Sequence, residues 1–402
     1  MLEKPVSVLI IGDVGVLDGM FHIGDEAMFE VAVGELAERG LSPIGVSSNP
    51  PETAARYGIP ALPRLGFAGL DRADAARRAD HLLAVAAGSA ELSPDDPAAE
   101  VFATLDGARL LVNAGGGNLA TRWHSHVFER TTLARLARAK GVPVVVTGQT
   151  LGPDLDAPDD AAVARMLREA ALVGVREPDT AALVDSWGLS ATLNVDDASF
   201  LGLGLGAEGE AGESAPRGGV VVSLSGWFAG RPADQVEQHI AELADAAART
   251  VGPVSFHAHF GPLDPAAPAR GDAALHERIR QRMSEPSTVI PTGTSREAAA
   301  LVHGADLLIT GRYHPAVFAA PAGTPVLALS ADRYTRIKLG GALGHWGQTG
   351  VLDLDELPDA PRRLETLVAD TAAIRDEAAA RLPRLRAASR QWWDRIAASA
   401  RN

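Results

Sequence analysis

Short apolar runs alternate along this chain with segments whose apolar positions recur every three to four residues. The first run, Val6-Ser7-Val8-Leu9-Ile10-Ile11, reads as a buried strand. A glycine-containing loop follows, and the pattern then predicts a helix over 25–39. Met28, Val31, Ala32 and Leu36 share one face of that helix, Asp25 and Glu26 sit in its first turn, and Gly40 closes it. Further strands are predicted at 43–47, 109–113, 142–147, 172–175 and 191–195, with helices at 71–90, 125–140, 159–171 and 178–187. Strands and helices in strict alternation are the mark of a doubly wound α/β fold.

The pattern breaks over 201–219. Gly202-Leu203-Gly204-Leu205-Gly206 leads into Glu208, Glu210, Glu213 and Pro216, a stretch with little to bury that predicts a linker at 206–218. A second α/β series follows, with strands at 219–224, 253–257, 288–290, 306–310 and 325–329 and helices at 234–250, 272–283, 295–303 and 314–320. The chain is helical from Pro361 onward and carries Trp392 and Trp393 near its end. The expected organisation is therefore a first domain at 1–205, a second at 219–360, and C-terminal helices at 361–402 that pack on one domain or across both.

Composition agrees with this picture and narrows the function. A chain of 402 residues exceeds what one hydrophobic core usually organises. Aromatics are only 5%, so the cores are built from Val, Leu, Ile and Ala, as in parallel sheets covered by helices. A net charge of −14 argues against nucleic acid as a partner. It leaves room for a small anionic substrate, because a few arginines can reverse the field locally. The absence of cysteine removes disulfides, thiolate zinc sites and cysteine nucleophiles. Glu3 and Lys4 precede an apolar run too short for a secretion signal, and no stretch reaches membrane-spanning length, so a cytoplasmic protein is expected.

Candidate chemistry collects where predicted strands end. After the first strand, a glycine-containing loop runs from Gly12 through His22 and Gly24 to Asp25 and Glu26. It lacks the spacing of a dinucleotide fingerprint and the lysine of a P-loop, and its carboxylates suit hydroxyl-bearing ligands better than phosphate. Asp25 reads equally as a helix cap or as an acceptor-side base, while Glu26 reads more simply as part of the helix. Gly115-Gly116-Gly117-Asn118 follows a buried strand and would let a ligand approach the backbone. Arg176 stands directly after another strand, as an anion clamp would. Gly311-Arg312-Tyr313-His314 is the strongest of the set: it joins a clean strand to a helix and sets a fork cation beside an imidazole. His257 and His259 alternate at a strand end. With His276 or Asp272 they would make a zinc set, but no metalloenzyme motif is present, so polar lining is the simpler reading and no metal is expected. His124 and His126 read the same way.

Taken in order, these segments resemble the polysaccharide pyruvyl transferase family. The resemblance is carried by Gly24-Asp25-Glu26-Ala27, Gly115-Gly116-Gly117-Asn118, Gly148-Gln149-Thr150-Leu151-Gly152-Pro153 and Val175-Arg176-Glu177. Asp197-Ala198-Ser199-Phe200, Ala305-Asp306 through Gly311-Arg312-Tyr313-His314, and Gly323-Thr324-Pro325-Val326 complete it. Two departures stand out: His22 occupies a place where family members usually have Asn, and the loop Asp13 to Phe21 is lengthened. The resemblance implies two Rossmann-like domains facing a central cleft, as in GT-B glycosyltransferases. It also implies phosphoenolpyruvate as donor, a free or lipid-linked saccharide as acceptor, no cofactor, and a role in cell-envelope or exopolysaccharide synthesis. Arg176, Arg312 and Lys338 would then hold the donor's carboxylate and phosphate, with His314 as general acid. Asp25 would deprotonate or orient an acceptor hydroxyl from the opposite domain. His22, Glu26, Gly115, Gly116, Gly117 and Asn118 would line the substrate site. An exposed apolar patch at Trp392 and Trp393 would add a peripheral membrane contact.

Two other classes compete. A GT-B glycosyltransferase using a nucleotide sugar would need a carboxylate for the donor ribose, for which Glu285 and Asp332 are unconvincing candidates. A non-catalytic binder on the same fold would tolerate loss of Arg312 or His314, and both are present.

Overall fold

The computed structural model describes residues 6–203 and 218–401. The linker expected at 206–218 thus lies outside the described residues apart from its last position. The chain forms two compact units. One comprises the residues up to Leu17, Met28–Asp197 and those from Ala387 onward; the other comprises Asp18–Ala27 and Ala198–Arg386.

The first unit is built on a parallel sheet. Its order is Ala61–Pro63, Leu41–Ser47, Val6–Ile11, Leu110–Asn113, Val144–Leu151, Leu172–Val175, Thr192–Leu193. Strands buried on both faces must be apolar throughout, and Val8 to Ile11 and Leu110 to Val112 are all completely buried. One face packs against helices that include Arg72–Ala86 and His124–Ala139, the other against the helix Ile23–Glu38 and the chain's last helical turns. Asp71 caps Arg72–Ala86 by accepting the Asp74 N–H, which fixes the start of this helix, and the helix ends at Ala86, short of the 90 expected. Two expectations for the strands change here. The strand expected at 191–195 shrinks to Thr192–Leu193, and Gly116–Leu119 is a short strand of its own, paired with Val144–Leu151.

The second unit repeats the plan. Its six parallel strands run in the order Ser287–Ile290, Val254–His257, Val220–Ser223, Leu307–Thr310, Val326–Ser330, Val351–Asp353. Its helices include Ala233–Thr250, Ser295–His303 and Arg333–Gly344. Thr294 and Glu297 form a reciprocal capping box on Ser295–His303. A small antiparallel pair joins Met20–His22 to Phe260–Pro262, with His22 opposite Phe260. This pairing brings the lengthened first loop into the second unit, which no local pattern predicted.

The terminal helix Thr371–Ser399 belongs to the second unit up to Arg386 and to the first from Ala387. Its tryptophans do not form a surface patch: Trp392 and Trp393 are 2% and 0% exposed, so the membrane contact expected of them loses its surface. Trp392 packs closely on Gly174, where any Cβ would stand 2.5 Å from the indole, and its Nε1 donates to Thr147 Oγ1 at 2.8 Å. Among the described residues no helix is long and apolar enough to cross a membrane. Trp392→Ala is expected to destabilise the first unit by about 3–5 kcal/mol through lost burial and a residual cavity. Urea unfolding followed by far-UV circular dichroism checks this, and an unchanged midpoint would contradict the anchoring role.

Candidate functional site

In the second unit, the strand Leu307–Thr310 delivers Gly311 and Arg312 at its C-terminal end, the edge where open α/β sheets bind ligands. The Thr310 hydroxyl accepts the Arg312 N–H at 2.9 Å and donates to the Ser223 carbonyl at 2.8 Å, which fixes the turn. Arg312 is the residue before the helix Tyr313–Ala319. Its fork closes on Asp272: Nε donates to Oδ2 at 2.8 Å and Nη2 to Oδ1. Asp272 is buried, whereas about a quarter of the Arg312 side chain is exposed. Asp272 Oδ2 also accepts the Phe260 N–H at 2.9 Å. Arg312 is thus held rigidly by one carboxylate while keeping an open edge. Sequence reasoning considered Asp272 only as a metal ligand, because nothing local links it to a turn forty residues away.

His314 begins the same helix and is almost buried. Its ring meets Tyr313 edge-on at 5.0 Å and Phe318 at 6.1 Å. On the Tyr313 side, Lys338 Nζ stands 4.8 Å above the Tyr313 ring and 4.7 Å from that of Tyr334, whose hydroxyl accepts from it at 3.2 Å. Lys338 is therefore brought to the turn by cation–π contacts, a role for Tyr313 and Tyr334 that nothing in the sequence signalled.

The segment from Asp18 to Ala27 lies over this turn. Ile23 N–H donates to the His259 carbonyl at 3.0 Å, and the Ser295 hydroxyl donates to the Ile23 carbonyl at 3.3 Å. Gly24 meets His314 so closely that a Cβ there would lie 1.9 Å from Nδ1, so only glycine fits. The helix begins at Ile23, two residues earlier than the periodicity indicated, which makes Asp25 a first-turn residue and not a cap. Asp25 Oδ2 stands 2.8 Å from His22 Nδ1. Glu26 is 2% exposed. Asp25 thus belongs to the same unit as Arg312 and His314, and the expectation that it comes from the opposite domain is corrected by the strand pairing of Met20–His22.

Behind the turn lie His257, His259 and His276. The first two rings meet edge-on at 5.2 Å, and His276 Nε2 accepts the Leu224 N–H at 2.9 Å. Burial lowers His257 to about 4 and His276 to about 3, and pushes His259 well below the usual imidazole range, so all three are neutral at pH 7. No group of three or more histidines and carboxylates arranged for a metal occurs among the described residues.

The first unit holds the other expected residues. The Arg176 side chain is completely buried, with Nε donating to Glu177 Oε1 at 3.0 Å and to Thr150 Oγ1 at 2.9 Å, and Nη1 to Asp196 Oδ2 at 2.6 Å. Two carboxylates already neutralise this guanidinium, so the expected anion clamp is a structural ion pair. The glycine stretch is partly consumed by the strand Gly116–Leu119, which commits backbone groups expected to face a ligand. Asn118 Nδ2 points at Asp13 Oδ2 at 3.4 Å. Burial disfavours the charge on Asp13, but His126, Arg64 and Arg130 outweigh it and hold the carboxyl far below its usual range. His126 thus has a defined place, 3.7 Å from Asp13 and 2.9 Å from Arg130, whereas His124 Nε2 donates to the Leu70 carbonyl at 3.0 Å.

Well over half the chain, residues 22–333, matches the family described as polysaccharide pyruvyl transferase. The chain belongs to that family. Among solved structures, the chain resembles the glycosyltransferase SnogD from Streptomyces nogalater (16% identity, TM-score 0.54, 99% of this chain and 100% of that one). It also resembles a glycosyltransferase from Rickettsia africae (9%, 0.56, 98% and 99%). A third similar structure is the UDP-GlcNAc 2-epimerase from Neisseria meningitidis bound to UDP-GlcNAc (10%, 0.55, 93% and 94%). At these identities the likeness is one of fold, and the fold is GT-B-like. No curated protein sequence matches the chain.

One residue of the family motifs has unusual acid–base character. Asp197 is buried against Gly115 and Gly148, where desolvation first and the neighbouring Asp196 second raise its pKa from 3.8 to about 7. Thr147 hydrogen-bonds both its oxygens at 3.1 and 3.0 Å, and Trp392 donates to Thr147 behind it. The folded chain therefore holds a proton that the unfolded chain has released. Its stabilising effect is full below the unfolded pKa and is lost as pH rises to about 7. Asp197→Asn, a mimic of the neutral acid, should gain stability over the parent between about pH 4 and 7, by up to about 1.4 kcal/mol per pH unit, and then level off. Parallel pH profiles of urea stability would overturn the assignment.

Proposed function

We propose that this chain transfers the pyruvyl group of phosphoenolpyruvate to a saccharide as a ketal, in the synthesis of a cell-envelope or exported polysaccharide. The observation that carries the proposal is the convergence of a fork cation, an imidazole and an ammonium on one turn: Arg312, His314 and Lys338, in a chain of this family. The donor carries a carboxylate and a phosphate and needs two cations, which Arg312 and Lys338 supply. Arg176 is left out, since its side chain is completely buried against Glu177 and Asp196, whereas Arg312 keeps an exposed edge beside Asp272.

In the reaction the donor's methylene carbon takes a proton and becomes a methyl group, and a sugar hydroxyl bonds to the adjacent carbon. The bond from that carbon to the phosphate oxygen breaks, a second hydroxyl closes the ketal, and phosphate leaves with the second proton. His314 is the general acid toward the methylene carbon. It sits at a helix start, beside Lys338-bearing Tyr313, where a proton donor and the anion's charge are handled together. Asp25 and His22 act on the acceptor hydroxyls. Phosphoenolpyruvate is a cytoplasmic metabolite, which assigns the enzyme to that compartment. The acceptor is a free or lipid-linked saccharide.

The similar structure bound to UDP-GlcNAc supplies the control. Phosphoenolpyruvate at a hundredfold excess over its Kd should stabilise the protein by about 2.7 kcal/mol in a thermal-shift titration, and UDP-GlcNAc should not. Arg312→Lys keeps a charge beside Asp272 but loses the fork, and should weaken the donor at least tenfold. His314→Ala should spare donor binding more than turnover. Stabilisation by the nucleotide sugar alone would replace this reading with that of a glycosyltransferase.

A further inference from the structure

We propose that His22, oriented by Asp25, is the general base that takes the proton from an acceptor hydroxyl, and that Asp25 is a positioning residue. This deepens the reading above and rests on it.

The geometry is that of a carboxylate–imidazole dyad. His22 ends the strand Met20–His22 and Asp25 lies in the first turn of the helix that follows it, so three residues of chain bring Nδ1 and Oδ2 to 2.8 Å. A carboxylate there selects the tautomer with the proton on Nδ1 and leaves the lone pair on Nε2, at the opposite edge of the ring. The His22 side chain is 41% exposed against 19% for Asp25, so the orienting group is covered and the base is accessible. The ring is held from its other side by Phe260, at 5.6 Å and a 49° tilt, and its strand is registered opposite Phe260. Phe260 N–H is anchored on Asp272, the partner of Arg312, so base and donor-site cation share one carboxylate as their reference point.

The carboxylate in contact with the ring is that of Asp25. His259, on the segment leading into the paired strand, senses His22, Arg312 and His314, and its burial keeps it neutral. Arg312 is compensated by Asp272. The Gly24 approach to His314 sets the spacing, since the two residues between His22 and Asp25 are Ile23, tied to His259 and Ser295, and Gly24 itself. His314 protonates the donor carbon and His22 accepts from the acceptor oxygen, and the second acceptor proton leaves with phosphate, so two imidazoles divide the work without either serving twice.

The test uses the full-length chain with 15N-labelled histidine, and His22→Asn identifies the resonances. In the parent, neutral His22 should carry its proton on Nδ1, and its titration midpoint should fall by about one pH unit in Asp25→Asn. A proton on Nε2, or a midpoint that Asp25→Asn leaves in place, would overturn the dyad. In phosphate release from phosphoenolpyruvate with a panel of methyl glycosides, His22→Asn should lose the acidic limb of the turnover profile and about a hundredfold of rate, with the donor's thermal shift unchanged. An unaltered profile would overturn His22 as the base. Absence of the donor's thermal shift in the parent would instead strike the proposed function, and the histidine spectra would still report on the dyad.

Discussion

Asp272 is the carboxylate on which the second unit's site is built. It receives the guanidinium fork of Arg312 and, through the same Oδ2, the N–H of Phe260. The first contact sets the angle of the turn after Leu307–Thr310. The second sets the strand on which Met20–His22 is registered. A buried carboxylate with one cation partner is costly to leave unpaired, so the arrangement is tightly determined. From it follow the place of His314, the approach of Gly24 to that ring, and the His22–Asp25 contact. Lys338 comes to the same turn by another route, held over two tyrosine rings.

The first unit uses its charges differently. Arg176 closes on Glu177 and Asp196 with no exposed surface, and Asp197 next to them is raised to about 7 by its own burial and by Asp196. One cation serves two of the three carboxylates, and the third is most cheaply kept as the neutral acid. Trp392 reaches this group through Thr147, so the end of the chain is fastened to the middle of the sheet. The same strand-end motif that reads as an anion clamp in isolation becomes an internal bracket once its partners arrive.

Much of the fold was legible because parallel sheets buried on both faces demand unbroken apolar strands, and Val6–Ile11, Leu110–Asn113 and Leu307–Thr310 are such runs. Short elements such as Ala61–Pro63, Val351–Asp353 and the pair Met20–His22 with Phe260–Pro262 carry no period long enough to read. Gly116–Leu119 was taken as a loop for a related reason: glycine has no β propensity, and the neighbouring strand, not its own sequence, makes it a strand. Within the site, Arg312, His314, Lys338 and Asp25 were legible as residue types at strand ends and helix starts. Asp272, Tyr313, Tyr334 and Asp197 were not, because their roles depend on what lies beside them in space.

The sequence by itself determined the doubly wound α/β class, the positions of the main strands, the family, and the turn that carries Arg312 and His314. These rest on local apolar periodicity and on motifs read within a few residues. Only the tertiary structure decided that Asp25 stands with His314 in one unit, that Arg176 is spent on an internal ion pair, and that the tryptophans are core and not surface. The physical reason is that charge and burial are properties of a neighbourhood. A side chain's chemistry depends on the partners that desolvate or neutralise it, and those partners come from residues up to hundreds of positions away.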